Sequence, residues 1–87
     1  MKFGYYIMSG KSQSYDSIDD WRKAWDELGE ALKEHNMELL FYGSPFGISD
    51  DAICDLKGEV ADFEGLWGAG FGSKFPIIDR NTTLVLV

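Results

Sequence analysis

Three segments of this chain are apolar on both of the faces that a β-strand presents, and this limits what it can fold into more than any other feature. In Phe3-Gly4-Tyr5-Tyr6-Ile7-Met8 the alternation places Phe3, Tyr5 and Ile7 on one side and Tyr6 and Met8 on the other. Within Met37 to Tyr42, Leu39 and Phe41 oppose Leu40 and Tyr42, and in the terminal Thr82 to Val87 Leu84 and Leu86 oppose Val85 and Val87. A sheet with one wet face alternates apolar with polar residues, so strands like these call for cover on both faces. A chain of 87 residues buries only roughly 60 to 65% of its unfolded surface by itself. Its own helices can cover one face, and the other needs something more.

Between the strands lie two helical patterns. Ile18, Trp21, Trp25, Leu28 and Leu32 recur at steps of three and four, Ala24 and Ala31 widen the stripe, and Arg22, Lys23, Asp26, Glu27, Glu30, Lys33 and Glu34 form the opposite, solvated face. Ser17 followed by Asp20 approximates a capping box, Asp19 adds negative charge to the first turn, and Asn36 tolerates the left-handed conformation that ends many helices. The second pattern, Val60, Phe63, Trp67 and Phe71 within Glu59 to Phe71, contains Gly65, Gly68 and Gly70. Each glycine costs about 1 kcal/mol against alanine inside a helix, so this helix is expected to be short, frayed or closely packed. A third strand, Ala52 to Lys57, ends at Gly58 and pairs with the second through the loop at Gly43-Ser44-Pro45-Phe46-Gly47, and Lys74 to Asp79 is read as connection. The order β-α-β-β-α-β predicts an α+β, ferredoxin-like domain over residues 1–87, a four-stranded antiparallel sheet with both helices on one face.

Charge narrows the partners. Fifteen acidic and eight basic residues give a net charge of −7, and the basic residues are scattered, which argues against nucleic acid and anionic membrane. The single cysteine, Cys54, cannot form an internal disulfide. The first residues lack the pattern of a secretion signal, and no apolar run reaches the roughly 18 to 20 residues of a spanning helix. The expectation is a cytoplasmic protein.

The element order and the two-faced strands, which cover nearly the whole chain, resemble the dimeric α/β-barrel superfamily, where two ferredoxin-like subunits pack sheet against sheet with their helices outside. That resemblance implies a homodimer through the sheet face. Burying about 400 Å² of apolar surface is nominally worth roughly 10 kcal/mol before association costs. The superfamily includes small monooxygenases, isomerases and mutarotases, haem-degrading enzymes and effector-binding modules of amino-acid-responsive regulators. The ending Asn81 to Val87 looks like the last strand of the regulator modules, and the long first helix with Trp21 and Trp25 looks more like the enzymes. Two functions follow as expectations: a cofactor-free enzyme of the monooxygenase or isomerase kind, or a non-catalytic sensing or oligomerisation module.

For the enzyme, the resemblance implies a small apolar or aromatic ligand between helices and sheet, with Tyr6, Trp21, Trp25, Tyr42, Phe63, Trp67 and Phe71 as walls; the same rings equally make an ordinary core. His35, three residues beyond Leu32 on the first helix, is the candidate proton carrier, against a reading as a helix-end residue. Asp55 interrupts the third strand on the face of Ile53 and Lys57 and is the second catalytic candidate, against a solvated carboxylate paired with Lys57. Cys54 and Leu56 share the opposite face, where a small buried core residue is expected. Gly68-x-Gly70-x-Gly72 follows a helix instead of preceding one and is rejected as a phosphate loop. Asp50, Asp51 and Asp55 lack metal-loop spacing, so neither a metal nor a cofactor is expected.

Overall fold

A computed structural model describes residues 2–87. The elements run β1 (Phe3–Ser12), α1 (Ile18–Lys33), β2 (Glu38–Gly43), β3 (Ala52–Glu59), α2 (Val60–Gly68), a 3-10 turn at Phe71–Ser73, and β4 (Ile77–Leu86). All pairings are antiparallel, and the sheet order is β2-β3-β1-β4. This is the ferredoxin-like arrangement that the element order predicts, with the two strands that enclose β1 and β3 at the edges.

Side-chain alternation decides which face the helices take. Along β1, Gly4, Tyr6, Met8 and Gly10 are buried, and along β3 Ala52, Cys54, Leu56 and Gly58 are buried, with every intervening residue more open. Both helices pack on this inner face, where Trp25, Leu28 and Leu32 from α1 and Leu66 from α2 join Tyr6, Met8, Cys54 and Leu56 in one core. The start of α1 is as the sequence predicts: Ser17 is extended, and its Oγ accepts a hydrogen bond from the Asp20 N–H at 3.1 Å. Its stripe begins one step later than predicted, because Ile18 is 61% exposed at the first turn. At the other end Asn36 takes a left-handed φ of 61°, and the Met37 N–H closes onto the Leu32 carbonyl at 3.0 Å.

Three boundaries differ from the sequence reading by three residues or more, while β2 and the end of β3 shift by one or two. β1 extends to Ser12, since the polar residues after Met8 still pair with β4. The second helix stops at Gly68, and Gly70 then adopts φ 82°, a conformation open to glycine, which turns the chain into Phe71–Ser73. β4 begins at Ile77 instead of Thr82, so part of the expected connection is strand, and Phe75, Pro76 and Ile77 are fully buried. That early half of β4 is masked in the sequence by a bulge: its register against β1 shifts between Ser9 and Lys11, and Asp79 takes a positive φ of 51°.

Candidate functional site

Three aromatic groups, not one pocket, occupy the helix side. Tyr42 stacks on Trp25 with ring centroids 5.0 Å apart and planes 6° apart, and Trp21 meets Tyr42 edge-on at 5.3 Å. Tyr6 stacks on Phe63 at 3.9 Å, Trp67 stands edge-on to Phe63 at 5.3 Å, and Phe75 lies beyond Trp67 at 5.6 Å. Phe71 meets His35 at 5.0 Å, with the Lys74 ammonium 4.6 Å over the Phe71 ring. Tyr6, Trp25, Phe71 and Phe75 are within 1% of complete burial, so the expected wall residues largely fill the space between helices and sheet. Trp67 is 38% exposed and lies on the flank, under the guanidinium of Arg80.

Two polar atoms inside this packing have no hydrogen-bond partner among the described residues: the Tyr6 hydroxyl and the Trp25 Nε1. Burial pushes the Tyr6 phenol up, and the carboxylates of Glu64 and Asp62 add to the shift, so the hydroxyl keeps its proton as a donor. Open space lies further out. A groove of about 600 Å³ runs between α1 and β2 past Trp25, Gly29, Leu39 and Tyr42, with Asp26, Glu30 and Lys33 at its rim. Lys33 is tied to Glu30 at 3.3 Å. Smaller grooves of about 330 and 380 Å³ lie beside Tyr15 and Trp21 and beside Ala24 and Lys74. No cluster of three metal-ligating side chains forms among the described residues.

The two candidate catalytic residues are not brought together. His35 follows the end of α1, half-buried on the helix side, with its N–H donating to the Leu32 carbonyl at 2.9 Å and its ring against Phe71. Asp55 lies on the opposite face of the sheet, opposite Ile7 of β1 and Phe41 of β2. The sheet separates them. Cys54, on the inner face, is fully buried, and burial together with the neighbouring Asp55 charge pushes its thiol up to about 12, which leaves it protonated and unreactive.

The outer face is uncovered. Reading across the strands, it presents Phe41, Asp55, Ile7 and Thr83 in one row and Glu38, Lys57, Tyr5 and Val85 in the next, with Ile53, Phe3 and Val87 above and below. Phe41 is 51% exposed and Val85 43%, and between them the inner strands present Phe3, Tyr5, Ile7 and Ile53 together with Ser9, Asp55, Lys57 and Glu59. Lys57 does not pair with Asp55: its ammonium is 3.7 Å from a Glu38 carboxylate oxygen and 5.9 Å from the Phe3 ring centre. The Asp55 Oδ1 is shut off from solvent and has no partner among the described residues, and this burial pushes its carboxyl up. A central strand and two large flanking side chains account for that, where an edge position would have left the carboxylate wet.

Two positioning residues escape a sequence reading. Arg80 donates from Nη1 to the carbonyls of Gly72 at 3.0 Å and Ile77 at 3.1 Å while its guanidinium lies over Trp67 and Phe75, pinning the turn after α2 to β4. Gln13 fastens the other side, its Nε2 to the Phe75 carbonyl at 2.9 Å and its N–H to the Pro76 carbonyl at 3.0 Å. Neither carries a local signal, because both act on backbone more than 60 residues away or across a turn defined by glycine. A scan against protein-family models and a search of curated proteins both find no match to this chain.

Proposed function

We propose that this chain is a non-catalytic self-association module, which pairs its outer sheet face with the same face of a second copy in the manner of the dimeric α/β-barrel proteins it resembles. The observation that carries the reading is the outer face itself, which no helix covers and which carries Phe41, Ile7, Tyr5, Ile53 and Val85 around Asp55 and Lys57. A second copy fits this face better than a charged partner. Lys57, on the inner strand β3, is paired with Glu38 at 3.7 Å within the chain, so its charge has a partner without any group from a second copy. At strand spacings near 4.8 Å and rises near 3.3 Å the face projects to about 500 Å² per copy, so two copies together bury about 1,000 Å², the lower bound for a specific interface. Sedimentation velocity at tens of micromolar tests it: the dimer is expected for the natural chain, and Phe41→Glu and Val85→Glu, both at exposed sites, are expected to give folded monomers. A natural chain that sediments as a monomer at these concentrations overturns the reading.

A cofactor-free enzyme of the monooxygenase or isomerase kind is the second reading. It is favoured by the two unpartnered donors, the Tyr6 hydroxyl and the Trp25 Nε1, which a small aromatic ligand with an acceptor group would satisfy. It is disfavoured by the filled interior and by the separation of His35 from Asp55. Tryptophan fluorescence against a set of small aromatic carbonyl compounds discriminates, since an unchanged emission up to millimolar ligand removes it.

A further inference from the structure

Building on the sheet-to-sheet reading above, we propose that the pairing is proton-linked through Asp55, the two copies drawing one or two protons from solvent onto their Asp55 carboxylates as the faces close. The placement is what makes a proton necessary. Asp55 sits on the inner strand β3, with Ile7 opposite on β1 and Phe41 opposite on β2, and one of its oxygens is already sealed from solvent in a single copy. A second sheet laid over this row removes the remaining water.

The cations on the face are directed elsewhere in the single chain. Along β3 the neighbours are Ile53 and Lys57, and Lys57 is engaged by Glu38 and by the Phe3 ring; Glu59 lies farther along. From β1 the titratable groups are Tyr5 and Lys11, and the Lys11 ammonium donates to the Ser49 carbonyl at 2.9 Å. From β2 the one on this face is Glu38, another carboxylate, since Tyr42 lies on the inner side. The helices lie on the far face and contribute none. A second copy brings the same set again, a second Asp55 included. Two carboxylates closed into an apolar field cannot both remain charged, whereas a protonated carboxyl is itself a hydrogen-bond donor. Burial already pushes the carboxyl up in the single chain, in the same direction.

The experiment is the dimer dissociation constant by sedimentation equilibrium from pH 5 to 8 at 0.15 M salt, for the natural chain and Asp55→Asn, with circular dichroism to verify folding at each pH. For the natural chain the constant is expected to rise about tenfold per pH unit if the pair shares one proton, and about a hundredfold if each carboxyl holds its own. For Asp55→Asn the slope is expected to vanish and the dimer to be tighter at pH 7. A dimer whose constant is flat with pH overturns the proton linkage alone, as does a slope that persists in Asp55→Asn, which would belong to the general acidity of the chain. A natural chain that is monomeric at every pH overturns both this inference and the pairing beneath it.

Discussion

Gly10 shows how one residue sets the shape of the sheet. A Cβ there would lie 2.5 Å from the Ile78 carbonyl oxygen and 2.8 Å from that of Asp79, and both obstacles are backbone. The bulge that shifts β4 against β1 can pass only because this position has no side chain. Gly10→Ala is therefore expected to destabilise the fold by about 2 kcal/mol or more, read as a lower midpoint in urea with an unchanged slope. Asp55 acts in a different way at the same scale. Its folded carboxyl is raised from the ordinary value of 3.8, so the folded chain holds this proton more tightly than the unfolded one. Its contribution to stability is complete below that ordinary value and is lost as pH rises through the raised one. In Asp55→Asn this loss is absent, and the natural chain and the variant are expected to diverge in thermal midpoint as pH climbs out of the acid range.

Among the elements, α1 owes most to local signals and β4 least. Ser17, the two aspartates behind it, the apolar steps from Trp21 to Leu32 and Asn36 are all visible in the chain, and each does in the structure what its chemistry predicts. Ser17→Ala is expected to cost about 1 kcal/mol, seen as a lower thermal midpoint, because the Asp20 N–H loses its acceptor. The fold order was legible for the same reason: periodicity of two and of three to four survives in a single sequence. The start of β4 was not, since Ile77 and Ile78 pair with β1 beyond a bulge whose determinant, Gly10, is far away in the chain. The candidate site was legible only in part. Asp55 could be assigned to the face of Ile53 and Lys57, but whether Lys57 met Asp55 or Glu38 depended on the register of β2, which a second bulge between Leu39 and Phe41 displaces. The aromatic residues could be counted, but not divided into the three groups that leave no single pocket.

For the whole molecule, the two sides of the sheet have unequal standing. The inner side is covered by the chain's own helices except along β4, where Leu84 and Leu86 stay exposed, and no helix covers the outer side; under the proposed pairing, stability would be shared between the chain and its copies. The thermal midpoint of the natural protein is expected to rise with protein concentration, and that of Phe41→Glu to stay constant, as differential scanning calorimetry over a hundredfold dilution would register. A midpoint independent of concentration in the natural protein would count against association as a source of stability.

The last half of β4 extends this to time. From Asn81 to Leu86 every side chain is exposed on both faces, with Leu84 at 42% and Leu86 at 53%, and the strand is held along one edge only, by β1. Such a segment opens before the rest, and under the proposed pairing it would be open to proteases in the single copy and shielded in the pair. Abundance would then govern lifetime: scarce copies would be cleared first, and a cell could dispose of surplus subunits without any dedicated signal for their removal.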